Sequence, residues 1–200
     1  MIAEEPIKTE KMNETLYIDY FGLITEKNTN VFMQVISGQI SEKNPSEIYL
    51  LFSSSGGSVT AGFTMYNYIN SLKQSVKFTI HNIGTVDSIA NVVFMAGDKR
   101  LACSNASFLY HGIVWPLNAG QYSDGQLNEL INSNKTSNKK TVDIISSSSE
   151  LSEAELLNFF VQGDSKDAEF ALSKKIIHEI GDPQIPKGSF HLPIILPEMN

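Results

Sequence analysis

The sequence predicts an α/β domain built on a parallel sheet, and three observations carry that expectation. From Ile48 to Gly112, short apolar runs alternate with stretches whose apolar residues fall at helical spacing. The first two changeovers from strand to helix carry a Ser/Gly cluster or a glycine. Strands that alternate with helices in this way pair in parallel, because each helix is the crossover that brings the chain back to the same edge.

Taken in order, residues 1–14 are polar and acidic and read as a flexible leader. Thr15 to Tyr20 then reads as a strand, and Thr29 to Ser41 as a helix with Val31, Phe32, Val35, Ile36 and Ile40 on one face. Ile48 to Phe52 is a buried strand, Thr60 to Leu72 a helix, and Val76 to Ile83 a strand stopped by Gly84. An apolar helix is expected over Ser88 to Ala96 and a strand over Phe108 to His111. Residues 122–160 form a longer, more polar helical region. Its Ser/Asn/Lys-rich middle reads as the solvated face of a protruding helix rather than a disordered insertion, because Leu127, Leu130, Ile131, Val142, Ile144 and Ile145 flank it. A short helix near Asp167 to Lys175 leads to Ile176 to Ile180. The domain is expected to span 15–182, with 183–200 as a proline-bearing tail.

Composition narrows the functional classes. A chain of 200 residues with 42% hydrophobic content can bury one substantial core. A net charge of -7 argues against a nucleic-acid surface, which needs clustered Lys and Arg. The N-terminus lacks the basic start and apolar stretch of a secretory signal, and no apolar run approaches the roughly 20 residues that span a bilayer. These features predict a soluble, cytoplasmic protein with no membrane partner. The single cysteine, Cys103, excludes an intrachain disulfide and reads as a small buried apolar group. His81, His111, His178 and His191 form no metal-ligand spacing, so neither a metal nor a cofactor is expected.

Three places carry chemistry. Gly56-Gly57 follow a buried strand and permit backbone conformations closed to other residues, so their N–H groups can approach an oxyanion; a plain strand-to-helix turn has the same composition. Ser88 opens an apolar helix, where unpaired N–H groups favour negative charge, and it can be a nucleophile or merely the helix cap; Asp87 can also cap. His111 ends a strand and can be a general base or a structural residue.

In order, LLFSSSGGSVTAGFTMYNYI and GTVDSIANVVFMAGDKRLACSNASFLYHG, with YFGLITEKNTNVFMQVI upstream, resemble the Clp protease proteolytic subunits (ClpP) of the ClpP/crotonase superfamily. The resemblance runs from about residue 15 to 180. It implies repeated strand-strand-helix units with a protruding long helix, and a serine peptidase acting through an acyl-enzyme. Carried over, Ser88 is the nucleophile, His111 the base, and the Gly57 and Ile89 N–H groups the oxyanion hole. Gly163 falls at the position of the family's acid, and Asp164 beside it is the expected third member, with Asp167 nearby. The resemblance also implies peptide or unfolded-protein substrates, a homo-oligomer of rings or stacked rings, and an AAA+ unfoldase as a possible partner. A substrate strand is expected along Gly112 to Pro116. The departures are Ser53 and Ser55 in the glycine turn, Asp87 before the serine, two extra residues before Gly84, and His111-Gly112 where the family has His-Gln-Pro. They mark a divergent member. The alternatives are a Ser-Lys peptidase using Lys99, a catalytically silent subunit for assembly or binding, and an acyl-CoA enzyme of the crotonase type, which a Ser/His pair fits less well.

Overall fold

The computed structural model describes residues 12–114, 117 and 119–194. Most of the expected leader and the end of the expected tail lie outside the described residues. The chain runs β1 (Met12–Phe21), α1 (Glu26–Lys43), β2 (Pro45–Ser54), α2 (Val59–Leu72), β3 (Lys77–Asp87), α3 (Ala90–Phe94), β4 (Lys99–Ala102) and β5 (Ser107–Tyr110). It continues with α4 (Asp124–Ser147), α5 (Glu153–Gln162), β6 (Asp164–Asp167), α6 (Ala168–Ser173), β7 (Glu179–Ile180) and β8 (His191–Pro193). The strands form one sheet in the order β6-β5-β3-β2-β1-β8, with β4 between β3 and β7. Every pairing is parallel except β5 with β6.

β3 is the organising strand. Its first half, Thr79 to Asn82, pairs with β4, and its second half, Thr85 to Asp87, pairs with β5. The strand therefore runs through Gly84 instead of stopping there as the sequence suggests. At the changeover Asn82 bridges the gap, donating to the Ser107 carbonyl at 2.9 Å and accepting from the Gly84 N–H at 3.0 Å. The extra length carries Ser88 out to the edge of the core.

The sheet buries Ile18, Tyr20, Ile48, Leu50, Phe52, Phe78, Ile80 and Phe108, with Phe32 and Ile36 of α1 and Met65 and Ile69 of α2 packed on it. Each such side chain contributes about 1.5–3 kcal/mol of transfer free energy. The helices start where the chain supplies caps: Thr25 accepts from Asn28 N–H, and Ser58 from Ala61 N–H. The 122–160 region is two helices, not one, because a second capping box of Ser152 and Glu155 restarts the helix after Leu151. α4 protrudes: Thr141, Val142 and Ile145 are buried at its root, whereas Leu127 and Ile131 near its start are exposed.

The root of α4 is fixed by Arg100, a buried guanidinium that donates to the carbonyls of Ile176 at 2.7 Å, Ser148 at 2.8 Å, Lys175 at 3.1 Å and Gly97 at 3.2 Å. At the opposite edge, part of the expected tail folds back as β8 against β1. Tyr17 N–H donates to Phe190 O at 3.1 Å, Ile194 N–H to Asp19 O at 3.0 Å, and His191 Nε2 lies 2.7 Å from Asp19 Oδ1.

Candidate active site

The ends of β3 and β5 and the turn after β2 converge on a cleft of about 240 Å³ lined by Gly57, Ser88, Ile89, His111 and Asn138, with Leu23, Val59, Ile113, Ile145 and Phe160 among its apolar walls. Four of the five residues expected from the sequence therefore share one cavity.

The glycine turn is shaped for close approach. Gly56 has φ 89° and Gly57 φ 142°, both in the region that side chains disfavour. A Cβ on Gly56 would lie 2.7 Å from the Ser88 Cβ, and one on Gly57 only 2.2 Å from the Ile24 carbonyl oxygen. The turn is thus pressed against Ser88 on one side and sewn to Ile24 on the other, where Ile24 N–H donates to Gly56 O and Ser58 N–H to Ile24 O, both at 2.8 Å. The hydrogen bonds of these turns leave out the Gly57 and Ile89 N–H groups among the described residues. Two donors beside a serine hydroxyl are what a developing oxyanion requires.

Ser88 sits at φ 56°, a left-handed conformation that is uncommon for a residue with a side chain. Its backbone is held from both sides: Ser88 N–H donates to Leu109 O at 2.9 Å, while Asn91 N–H and Nδ2 donate to Ser88 O, each at 3.1 Å. Asn91 Nδ2 also reaches Leu109 O at 2.9 Å. Ser88 is not the helix cap. The helix is only Ala90–Phe94, its N-cap is Ile89, and no side chain caps it. So short a helix has a weak dipole, and the local N–H groups matter more than the macrodipole. Asp87 does not cap either, because it accepts from the Thr85 hydroxyl.

His111 follows β5 directly, and its Nδ1 lies 2.7 Å from the Gly112 carbonyl oxygen. A carbonyl can only accept, so a neutral imidazole making this bond carries its proton on Nδ1 and presents a free lone pair on Nε2. That is the tautomer of a general base. Asp164 is not joined to it. Its carboxylate pairs with Lys166 at 2.6 Å, and Lys166 itself lies 4.5 Å over the Phe159 ring. The register gives the reason: Asp164 opposes Tyr110 in the last pair of β5 with β6, so its side chain belongs beside Tyr110, one residue short of His111, and Gly163 before it is the left-handed C-cap of α5. Asp167 caps α6, accepting from Phe170 N–H at 2.8 Å.

Lys99 lies elsewhere, in a separate pocket with Tyr49 and His81, ion-paired to Glu179 at 2.9 Å. In that pocket Tyr49 Oη is 2.6 Å from His81 Nδ1, and burial pushes the Tyr49 hydroxyl up to about 12 and the His81 imidazole down. Cys103 is buried, and burial raises its thiol above the ordinary value, the behaviour of an inert thiol. No group of three or more metal-ligating side chains occurs among the described residues, and no helix there is long and apolar enough to cross a membrane.

Sequence reasoning missed Asn91, the Gly112 carbonyl and the α4 residues Asn134 and Asn138. Asn134 and Asn138 lie one helical turn apart inside the polar patch, a spacing that marks a shared face but not what the face touches. Across the chain, the sequence profile described as Clp protease matches residues 6–181. With that match, and with the glycine turn, serine elbow and histidine gathered in one cleft of an α/β sheet, this chain belongs to the Clp protease family.

Proposed function

We propose that the protein is a serine peptidase in which Ser88 is the nucleophile, His111 the general base, and the Gly57 and Ile89 N–H groups the oxyanion hole. The observation that carries this reading is the His111 Nδ1 bond to the Gly112 carbonyl, which leaves Nε2 free to take the Ser88 proton. Ser88 Oγ then attacks the peptide carbonyl, the two N–H groups bind the oxyanion, and protonated His111 returns its proton to the leaving amine. Water activated by His111 Nε2 resolves the acyl-enzyme. General-base catalysis and one oxyanion donor are each worth about a hundredfold or more in rate.

In this reading the Gly112 carbonyl takes the orienting role expected of Asp164. It fixes the tautomer but brings no negative charge to the imidazolium. The substrate is an extended peptide or unfolded protein segment entering along the residues after His111. The exposed apolar start of α4, with Leu127 and Ile131 beside Leu117, supports assembly with further copies, and the family relation extends this to rings served by an unfoldase.

The lack of a carboxylate on His111 among the described residues favours a second reading, a silent subunit that serves assembly. One experiment separates the two: incubation with a fluorophosphonate, alongside Ser88→Ala, and localisation of the adduct by mass spectrometry. Labelling at Ser88 supports the peptidase. A folded, assembled protein that stays unlabelled is the silent subunit.

A further inference from the structure

The Gly112 carbonyl that accepts from His111 belongs to the same peptide unit as the Ile113 N–H. A trans peptide is a rigid plane in which the C=O and N–H point in opposite directions. Whatever holds the N–H on one side therefore aims the carbonyl on the other. Ile113 N–H donates to Asn138 Oδ1 at 3.3 Å. Asn138 is held in turn, because its Nδ2 donates to Asn134 Oδ1 at 2.5 Å, and Asn134 Nδ2 donates to the Ile113 carbonyl at 2.8 Å. The two asparagines grip both polar groups of Ile113 as a neighbouring strand would. Gly112 N–H is tied separately to Phe160 O at 3.0 Å.

We propose that Asn138, braced by Asn134, is a positioning residue that sets the tautomer and orientation of His111 through the peptide unit joining Gly112 to Ile113. This deepens the peptidase reading and rests on it for its catalytic consequence. Gly112 leaves the unit free to rotate at its N-terminal side, so without the Asn138 acceptor the carbonyl can swing away and the imidazole loses the bond that selects Nδ1–H. The Gly-Ile sequence after His111 is what makes the device possible, since a proline at position 113 would have no N–H to grip. Both asparagines are on α4, so the orientation of the base is coupled to the seating of the protruding helix.

The test is ring nitrogen-15 NMR of His111 in the full chain, with the rate of fluorophosphonate labelling at Ser88 measured on the same samples. The wild-type neutral imidazole should show the Nδ1–H pattern; a mixed or Nε2–H pattern overturns the proposal without any variant. Asn138→Ala and Asn134→Ala should shift His111 toward a tautomer mixture and slow labelling roughly ten- to hundredfold. Asn128→Ala, exposed on the same helix, should change neither. If Asn138→Ala does not fold, the wild-type spectrum and Asn134→Ala, which removes only the brace, carry the test. A folded Asn138→Ala whose His111 spectrum matches wild type refutes the proposal. If wild-type Ser88 is never labelled but the His111 tautomer still follows Asn138, the peptidase reading fails and the positioning device stands. If Ser88 is labelled but His111 ignores Asn138, only the device fails.

Discussion

Gly163→Asp should raise the reactivity of Ser88. His111 follows the last paired residue of β5, Gly163 precedes the first of β6, and Gly163 stands at the position of the family's acid. A Cβ at Gly163 meets nothing within 4 Å, and its φ of 64° lies in the left-handed well that Asp tolerates better than most residues. The backbone cost is about 1 kcal/mol, a fall in Tm of roughly 2–4 °C. In return, a carboxylate replaces a neutral carbonyl as acceptor for Nδ1–H. Hydrogen bonds to charged groups exceed neutral ones by about 1–1.5 kcal/mol, and that difference is realised as His111 becomes an imidazolium in the transition state. Converted to rate, it is a gain of roughly five- to twelvefold. The assay is the second-order rate of fluorophosphonate labelling, followed by intact mass, for wild type, Gly163→Asp and the uncharged Gly163→Asn. A folded Gly163→Asp no faster than wild type, or an Asn variant that gains as much as the Asp, would refute the reasoning that an acid at position 163 serves the base.

Three further outcomes follow from the geometry. Asp164→Asn should leave the labelling rate within about twofold, since this carboxylate serves Lys166 and not His111, and a loss of a hundredfold or more would restore Asp164 to the catalytic group. Gly57→Ala places a Cβ 2.2 Å from the Ile24 carbonyl in a strained region of backbone, so it should cost about 3 kcal/mol, lower Tm by roughly 6–12 °C and abolish labelling, and retained labelling would move the oxyanion hole elsewhere. Lys174, donating to Glu155, together with the Ser152 N–H and hydroxyl, holds the Glu155 carboxyl down at about 2. Because that value lies below the unfolded one, its stabilisation is complete above the unfolded value of 4.5 and lost as pH falls toward 2. Glu155→Gln should therefore narrow its Tm difference from wild type in acid, and an undiminished difference at pH 2 would mean that ionisation is not its source.

What was legible in the sequence follows from where the physics is local. Between Ile48 and Gly112, β2, α2 and β5 are legible because glycine or serine marks their ends and their apolar residues show a period, whereas β4, KRLA, is not, because its two leading charges carry no strand pattern and it forms only against β3 and β7. β6 is not either: DSKD has no apolar pattern and is a strand only because β5 presents an open edge to it. The full length of β3 is not legible because Gly84 signals a stop, whereas its continuation depends on a second partner strand that begins at Ser107. In the site, Gly57, Ser88, Ile89 and His111 could be named because their order along the chain matches a family pattern. The orienting group could not, because it is a backbone carbonyl, which every residue has. Even so, counting along the sequence puts a glycine at the position of the family's acid, and in the structure that glycine is the left-handed C-cap of α5.

The pairing of β8 with β1 has a consequence for the protein's synthesis. His191 is joined to Asp19 across 172 residues of chain. At roughly 5–20 residues per second, the outer edge of β1 waits some 10–30 seconds after translation of Asp19 before its partner exists. Once β2 has been made, β1 has it on one side and unpaired backbone on the other, an arrangement prone to recruit a strand from a neighbouring nascent chain. The seam that the finished protein closes with three residues is thus the place where its biogenesis is most exposed, and where a chaperone would act to most effect.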